Sequence, residues 1–351
     1  MPLMKRILIV RTDRVGDVVM ITPMIRELRK AHPDAFIATL TQPYTKDVLL
    51  NNPRLDLTLT DDLQKDTFWE TVHELRRHRF TDGLLVMPTE RAAYEMFFAG
   101  IPNRVGVGRR LYEVITFMKS VSRHDYTPLR HEADFCMDLA RKIGAPGEDI
   151  APEIFLTDEE REDAASLLRR RSVSDDDIVV MVHPGTRGSA PNWSEEKYYK
   201  LISRILGEFQ QPNLKIVLTA REMSREFLTK VAVLSSERVV NATPDIATLR
   251  DLIKVIGRAD VFICSSTGPA HIADALNVRC IALHCHRAMS CARHWGILNG
   301  RSINLEVSAE YCRTHCSADQ NTCVFEDGIS IDQVIGGLRI FVNRAIVRVT
   351  I

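Results

Sequence analysis

Residues 7–40 read ILIVRTDRVGDVVMITPMIRELRKAHPDAFIATL, and this stretch sets the architecture of the first half of the chain. Four apolar residues, 7–10, predict a buried strand, and the apolar residues after Gly16 recur at roughly helical spacing. A second apolar run closes the stretch, so the order is strand, helix, strand. This order predicts a parallel α/β sheet, in which ligands usually bind at the carboxyl ends of the strands.

The alternation of strands and helices continues along the chain. The segment DGLLVMP (82–88) adds a strand to the first system, and DIVVMVHPG (177–185) opens a second one with four further strand candidates. The polar segment RRRSVSDDD (169–177) is the predicted boundary between them. We therefore predict two domains, 1–172 and 173–329, facing across a cleft. Residues 330–351 predict an amphipathic helix interrupted at Gly336-Gly337.

Composition and charge narrow the class of protein. The 351 residues carry 46 basic and 46 acidic side chains, so no global positive charge favours binding to nucleic acid. Hydrophobic residues make up 45% of the chain, but no run of about 18 apolar residues predicts a membrane span. No apolar signal segment opens the chain, so we expect a cytoplasmic protein with reduced thiols.

The loop after the first strand places charged residues where a ligand would bind. Gly16 has no Cβ, which lets the backbone approach a ligand, and Asp17 follows at the start of a helix. An acid in the first helical turn is favoured by the helix dipole, so spacing alone favours a stabilising role over a catalytic one.

Two segments of the second half resemble anion-binding loops. HPGTRGSAPNWSEEKYYKL (183–201) and DVFICSSTGPAHIADAL (260–276) each lead from a strand through small residues to a helix N-terminus, which suits a phosphate. His271 by residue type alone is a capping or core histidine. Neither segment contains a Walker motif or G-x-G-x-x-G, which disfavours a dinucleotide dehydrogenase.

Several segments in this order are similar to signatures of one enzyme family. Gly16-Asp17-Val18 is followed by Thr22-Pro23. The other matching segments are IPNRVGVG (101–108), RHEADFCMDLARKIGAP (130–146), HPGT…NW (183–193), TLRDLIKVIGRADVFICSSTGPAHIADAL (248–276) and RHWG (293–296). Together they cover nearly the whole chain, which resembles the heptosyltransferases of glycosyltransferase family 9.

This resemblance implies a GT-B fold of two Rossmann-like domains, with the C-terminal helix packing back on the N-terminal domain. It implies an inverting transferase in which the first domain holds a lipopolysaccharide-core or similar glycan acceptor and the second a nucleotide sugar, usually ADP-heptose. No metal or cofactor is expected. A lipid-linked acceptor would place the enzyme at the cytoplasmic face of the inner membrane.

Asp17 matches the family's general base, and Asp13 in the same loop is a second candidate. Arg11 and Arg14 would keep Asp17 ionised or hold an anionic acceptor. The segment 104–130 has six basic against two acidic residues, which indicates either a solvated face or an acceptor surface. The predicted acceptor-binding residues are Arg11, Asp13, Arg14, Arg104, Arg109, Arg110 and His131. The predicted donor-binding residues are Thr186, Arg187, Glu222, Ser266, Thr267, Gly268 and His271.

Two positions depart from the family pattern. Pro191 replaces a lysine that many members place near the donor phosphates, and Ser266 replaces an aspartate that can hydrogen-bond the heptose. Two alternatives therefore stay open: a non-catalytic regulator that binds a nucleotide sugar, and a nucleotide-sugar epimerase. The Gly16-Asp17 loop in the acceptor half disfavours the epimerase.

The late cysteines do not follow a standard zinc spacing, because no C-x-x-C pair occurs. Free thiols in a loop are the favoured interpretation, and a metal or iron site is the alternative. The residues concerned are Cys285, Cys291, Cys312, Cys316 and Cys323.

Overall fold

The structure is a computed structural model that describes residues 4–108, 110–121, 128–235, 237–316, 323 and 325–349, with the backbone alone for 343–349. The chain divides into two compact units, Met1–Phe155 and Leu156–Ile351. Each unit is built on a parallel sheet with helices, which confirms the α/β prediction.

The described strands of the first unit form one sheet in the order β3-β2-β1-β4-β5-β6. The strand order reverses between β1 and β4, and this switch point is where such sheets bind ligands. The strands are β1 (Arg6–Val10), β2 (Phe36–Thr41), β3 (Leu57–Thr60), β4 (Asp82–Leu85), β5 (Asn103–Gly106) and β6 (Lys119–Ser120). The helices are α1 (Val15–Val19), α2 (Thr22–Ala31), α3 (Phe68–Arg77), α4 (Glu90–Phe98), α5 (Leu111–Ile115) and α6 (Glu132–Lys142).

Strand β1 lies in the middle of this sheet, with Ile9 opposite Thr39 of β2 and Leu84 of β4. Its residues 7–10 are fully buried, because a parallel sheet is covered on both faces. The helical pattern after it breaks at Met20 and Ile21, so that α1 and α2 are separate helices. Pro23 sits in the first turn of α2, where its missing N–H costs nothing.

The described strands of the second unit repeat this topology in the order β12-β11-β10-β7-β8-β9, with the switch point between β7 and β10. The strands are β7 (Ile178–His183), β8 (Leu214–Leu218), β9 (Val239–Asn241), β10 (Val261–Ser265), β11 (Arg279–His284) and β12 (Ile303–Glu306). The helices are α7 (Asp158–Arg169), α8 (Glu195–Glu208), α9 (Arg225–Leu234), α10 (Leu249–Ile256), α11 (Gly268–Ala275), α12 (Ala292–Trp295), α13 (Ala309–His315) and α14 (Ile331–Val349).

The boundary between the units lies before α7, whereas the polar segment had predicted it after this helix. Helix α7 packs on α10 of the second unit. Arg250 Nε donates to Glu160 Oε1 at 2.6 Å, and Lys254 lies 3.2 Å from Asp163. Composition marks an exposed turn after α7, but these ion pairs decide which unit the helix joins.

The interruption predicted at Gly336-Gly337 is wrong, because α14 continues through both glycines. A Cβ at Gly337 would lie 2.9 Å from Ile303 Cδ1 and 3.2 Å from Ile281 Cδ1. The glycine therefore lets the helix approach the sheet closely. Leu338 and Val342 belong to the core of the second unit, and the return of 330–351 to the first unit stays a prediction.

Within the described residues, none of the helices is both long and apolar enough to cross a membrane.

Candidate active site

A buried arginine organises the carboxyl end of β1. Arg11 is 3% exposed and donates from Nε to Asp13 Oδ1 at 2.9 Å and from Nη2 to Asp17 Oδ1. Its Nη1 donates to Glu132 Oε1 at 3.1 Å and to the sulfur of Cys136 at 3.6 Å. One guanidinium therefore fixes carboxylates from the β1 loop, from α1 and from α6.

The contacts within this cluster shift the pKa of Arg11 and of Asp13. Burial lowers the pKa of Arg11, but the surrounding Asp13, Cys136, Asp17 and Glu132 raise it well above its ordinary value. Burial raises the pKa of Asp13 to about 7, against the lowering effect of Arg11 and together with the raising effect of Asp17. Asp13 consequently titrates near neutral pH, while Arg11 keeps its charge.

Asp17 stands in the first turn of α1, with its side chain 18% exposed. Its Oδ1 is held by Arg11, and no hydrogen bond reaches Oδ2 from the residues that the structure describes. Gln42 Nε2 donates to Thr12 O at 2.6 Å, which ties the loop to the end of β2. The carboxylate is thus held firmly by one oxygen and offers the other to a ligand.

The predicted acceptor-binding residues differ in burial and in their hydrogen-bond partners. The buried guanidinium of Arg104 donates to Ile101 O and Thr116 O inside the first unit, so its acceptor-binding role stays a prediction that this arrangement disfavours. His131 is buried at the start of α6, where its Nδ1 accepts from Ala133 N at 3.2 Å. Arg14 and Arg110 are exposed, and Arg109 lies outside the described residues.

In the second unit, Asn192 joins the two loops at the switch point. Its Nδ2 donates to Pro184 O at 2.5 Å, after β7. Its Oδ1 accepts from Ser265 Oγ at 2.7 Å, at the end of β10, and from Tyr198 OH at 2.9 Å. The loops that follow β7 and β10 are therefore held together by a single amide side chain.

The predicted donor residues Arg187 and Glu222 meet beside Gly185. Arg187 Nε lies 3.5 Å from Glu222 Oε1, which brings the loop after β8 against the loop after β7. A Cβ at Gly185 would lie 2.5 Å from Glu222 Oε2, so the glycine makes room for the carboxylate. Arg187 adopts a φ of 48° and Gly188 a φ of 68°, which turns the chain sharply here.

His183 at the end of β7 is buried and uncharged at neutral pH. Burial and then the nearby charge of Arg187 lower the pKa of His183 to about 4. Its Nδ1 lies 3.1 Å from the hydroxyl oxygen of Thr219, at the end of the neighbouring β8. The loop therefore draws its positive charge from Arg187 and not from the imidazole.

The second anion loop leads into α11. Thr267 is the N-cap residue, but its hydroxyl donates to Ser265 O at 3.3 Å and makes no capping bond. Of the first three residues of the helix, Pro269 has no N–H and Ala270 N donates to Thr267 O at 2.9 Å, so the N–H of Gly268 is the one open to an anion. His271 lies one turn further along α11, buried, with its ring 5.4 Å from that of Trp295. Ser266 is half-buried beside them.

The N-terminus of α8, which the first anion loop reaches, is occupied by the protein itself. Ser194 Oγ accepts from Lys197 N at 3.1 Å, as the predicted cap requires. Glu326 accepts from both Ser194 N, at 2.9 Å, and Ser194 Oγ. This arrangement disfavours the predicted phosphate at this helix end, because a carboxylate already takes the place of the anion.

Four of the late cysteines interact with one another. Cys312 lies on α13 and Cys316 is the C-cap residue one turn later, and they interact with Cys285 after β11 and with Cys323. Burial raises the pKa of Cys316, but hydrogen bonds from Cys312 and Arg287 leave it lowered. No group of three or more metal-ligating side chains is arranged to hold an ion in the part of the chain that the structure describes.

Three contributors to these sites were not predicted from the sequence. Glu132 and Cys136 reach Arg11 from α6, and Asn192 reaches two loops at once. The i, i+4 spacing of Glu132 and Cys136 indicates one helix face but does not indicate its partner. Asn192 stands in the NW pair of a matching segment, but the sequence does not indicate which loops its amide joins.

The family model described as glycosyltransferase family 9 (heptosyltransferase) matches residues 68–322. The chain belongs to glycosyltransferase family 9. A relative from Haemophilus influenzae carries the provisional name of a glycosyltransferase. It is 26% identical to this chain, and the alignment covers 97% of this chain and 98% of the relative.

Two solved structures of glycosyltransferases are similar in fold to this chain. The family 9 glycosyltransferase of Veillonella parvula has a TM-score of 0.80 at 22% identity and covers 98% of this chain and 99% of its own. ADP-heptose lipopolysaccharide heptosyltransferase II of Escherichia coli has a TM-score of 0.75 at 18% identity. The match covers 97% of this chain and 99% of the Escherichia coli chain. These likenesses confirm the GT-B class of fold for this family 9 member.

Proposed function

We propose that this family 9 protein transfers heptose from ADP-heptose to a lipopolysaccharide-core or similar glycan acceptor, with inversion and without a metal ion. The observation that carries the proposal is the carboxylate of Asp17, held at Oδ1 by the buried Arg11 at the carboxyl end of β1. The name of the Escherichia coli structure, an ADP-heptose lipopolysaccharide heptosyltransferase, supports the choice of donor.

In this reaction Asp17 is the general base. Its Oδ2 takes the proton of an acceptor hydroxyl while that oxygen forms a bond to the anomeric carbon of the donor. The bond from that carbon to the diphosphate breaks on the opposite side, the electron pair leaves with ADP, and the configuration inverts. General base catalysis of this kind contributes about 10²–10⁴-fold to the rate.

The second unit binds the donor. The open start of α11 at Thr267 and Gly268 receives the diphosphate, and His271 stands one turn away on the same helix. Arg187 adds the positive charge that many family members draw from a lysine at the position of Pro191. Glu222, which Arg187 holds at 3.5 Å, receives the nucleotide ribose.

Ser266 stands where many members have an aspartate that can hydrogen-bond the heptose, and a hydroxyl can also donate to and accept from a sugar hydroxyl. The substitution is therefore compatible with transfer and bears on which sugar is preferred. We place the reaction at the cytoplasmic face of the inner membrane, because a lipopolysaccharide-core acceptor is anchored to lipid.

The donor is tested by calorimetry with ADP, GDP and UDP, first without a metal and then with magnesium. The proposal predicts a metal-independent preference for ADP. A preference for UDP or GDP would keep a transferase but remove ADP-heptose as the donor. Binding of none of the three would favour the non-catalytic regulator.

The base is tested with Asp17→Asn, with the exposed Asp66→Asn as a matched control. Turnover should fall by about 10²–10⁴-fold in the first variant, with unchanged affinity for ADP, and stay unchanged in the control. Undiminished turnover in Asp17→Asn would remove it as the base. Loss in Asp13→Asn alone would transfer that role to Asp13.

A further inference from the structure

A cluster of exposed apolar side chains lies on α5 and just after it, and we call it the α5 patch. Its members are Leu111 (75% exposed), Val114 (67%), Ile115 (49%) and Phe117 (80%). Leu111, Val114 and Ile115 have the i, i+3, i+4 spacing of one helix face. A contiguous group of exposed apolar side chains is typical of an interaction site.

The opposite side of α5 is anchored to the first unit. Tyr112 OH donates to Pro88 O at 2.6 Å, in the segment after β4. Glu113 is 1% exposed, and its Oε1 accepts from Gly108 N at 3.2 Å. Because these two side chains point inward, the orientation of the helix is fixed and the apolar face is held toward solvent.

Phe117 is held at a φ of 54°, a left-handed conformation that is costly for a bulky residue. Phe117 N donates to Val114 O at 3.1 Å, which closes the turn after α5. The turn thus keeps an aromatic ring in water at a cost in backbone energy. Such costs are retained at functional positions more readily than elsewhere.

Within residues 110–121 the exposed charges have one sign, although the exposed Glu90 of α4 lies near Tyr112 on α5. Arg110 precedes α5 and Lys119 follows Phe117, and both are exposed. Glu113 carries the only acidic side chain of residues 110–121, all of which the structure describes, and it is buried. The exposed surface of this segment is therefore apolar and basic, which is the combination that binds anionic lipid.

The patch lies at the same edge of the sheet as Asp17. Helix α5 follows the carboxyl end of β5, and Asp17 follows the carboxyl end of β1. The two strands flank β4 on either side and run parallel to it, so both helices begin at one edge. A surface bound at the α5 patch would therefore lie beside the edge that carries the β1 loop.

We propose that the α5 patch docks on an anionic lipid bilayer, with Leu111 and Phe117 inserted among the headgroups and Arg110 and Lys119 against the lipid phosphates. A second copy of the chain fits less well, because a two-fold contact would bring the basic residues of both patches together. The purpose of this docking is to bring the β1 loop to a lipid-linked acceptor, and only that purpose rests on the proposed function.

The experiment is cosedimentation of the full chain with vesicles of phosphatidylcholine alone and of phosphatidylcholine mixed with phosphatidylglycerol. The wild type should bind the mixed vesicles and release them as salt is raised. Binding should fall at least tenfold in Leu111→Ser/Phe117→Ser and about fivefold in Lys119→Ala, since each basic residue near the headgroups contributes about that factor.

The matched control is Val233→Ser, which removes an apolar side chain of α9 that is 83% exposed and should leave binding unchanged. Unchanged circular dichroism and thermal midpoint show that the variants remain folded. Equal vesicle binding by the wild type and the double variant would overturn the proposal. Absence of vesicle binding, with self-association that the double variant abolishes, would overturn it in favour of a contact between copies.

Vesicle binding needs neither donor nor transfer, so the two proposals fail separately. A chain that binds vesicles but does not bind ADP would retain the docking surface and lose the proposed function. If the chain binds ADP but its vesicle binding does not depend on the patch, the proposed function is retained and the docking surface is lost.

Discussion

Arg11 donates from Nη2 to Oδ1 of Asp17, although the two residues belong to different elements, the end of β1 and the first turn of α1. The same guanidinium binds Asp13 and Glu132. A single buried cation thus positions the proposed base and compensates the charge of two further acids.

Replacing Arg11 by methionine should lower the free energy of unfolding by about 3–5 kcal/mol, because it leaves buried carboxylates without their partner. Urea denaturation measures the change. Arg14→Met is the control, since Arg14 is exposed and should change stability by less than about 0.5 kcal/mol. Equal and small effects of both substitutions would mean that the Arg11 cluster contributes little to stability.

The raised pKa of Asp13 predicts a specific pH dependence of stability. The folded-state pKa of about 7 exceeds the ordinary value of 3.8, so the folded state binds more protons between these values. The stabilising contribution of Asp13 is complete below about pH 4 and is lost as pH rises through about 7. Unfolding free energies of the wild type and of Asp13→Asn at several pH values measure it. The wild type should lose stability relative to the variant as pH rises, and a constant difference would contradict the shift.

Asn192→Ala should destabilise the second unit by about 1–3 kcal/mol, because it leaves the buried hydroxyl of Tyr198 and the carbonyl of Pro184 without their partner. It should also weaken ADP binding, since the two loops are no longer joined. Ser265→Ala removes one of the three bonds and should cost less in both measurements. If Ser265→Ala is as damaging as Asn192→Ala, the joint between the loops does not depend on the amide.

Gly185→Ala should weaken ADP binding by about tenfold, which is about 1.4 kcal/mol. The added Cβ displaces the Glu222 carboxylate, because it would lie 2.5 Å from Oε2. Calorimetry of Gly185→Ala, Glu222→Ala and the double variant separates the causes. The double variant should bind no worse than Glu222→Ala, because the displaced group is already absent. Additive losses would show that the Cβ acts on the nucleotide directly.

Local sequence patterns predicted which helices and strands are present better than they predicted where each one ends. The apolar runs of β1 and β7 predicted buried strands, and Ser194 predicted the start of α8, because neighbouring residues are enough to determine these features. The same reasoning was wrong about Gly337, where the close approach of Ile303 and Ile281 keeps the helix intact. A glycine that breaks a helix and one that lets a helix pack are identical in sequence.

The amino-acid sequence by itself determined two parallel sheets and the positions of Asp17, Arg187 and Thr267 at the ends of strands, since periodicity and chain order suffice for both. Only the tertiary structure decided that Glu132 meets Arg11 and that Glu326 caps Ser194, more than a hundred residues away in each case. Such contacts depend on sheet register and helix packing, which bring distant segments together after the elements have formed.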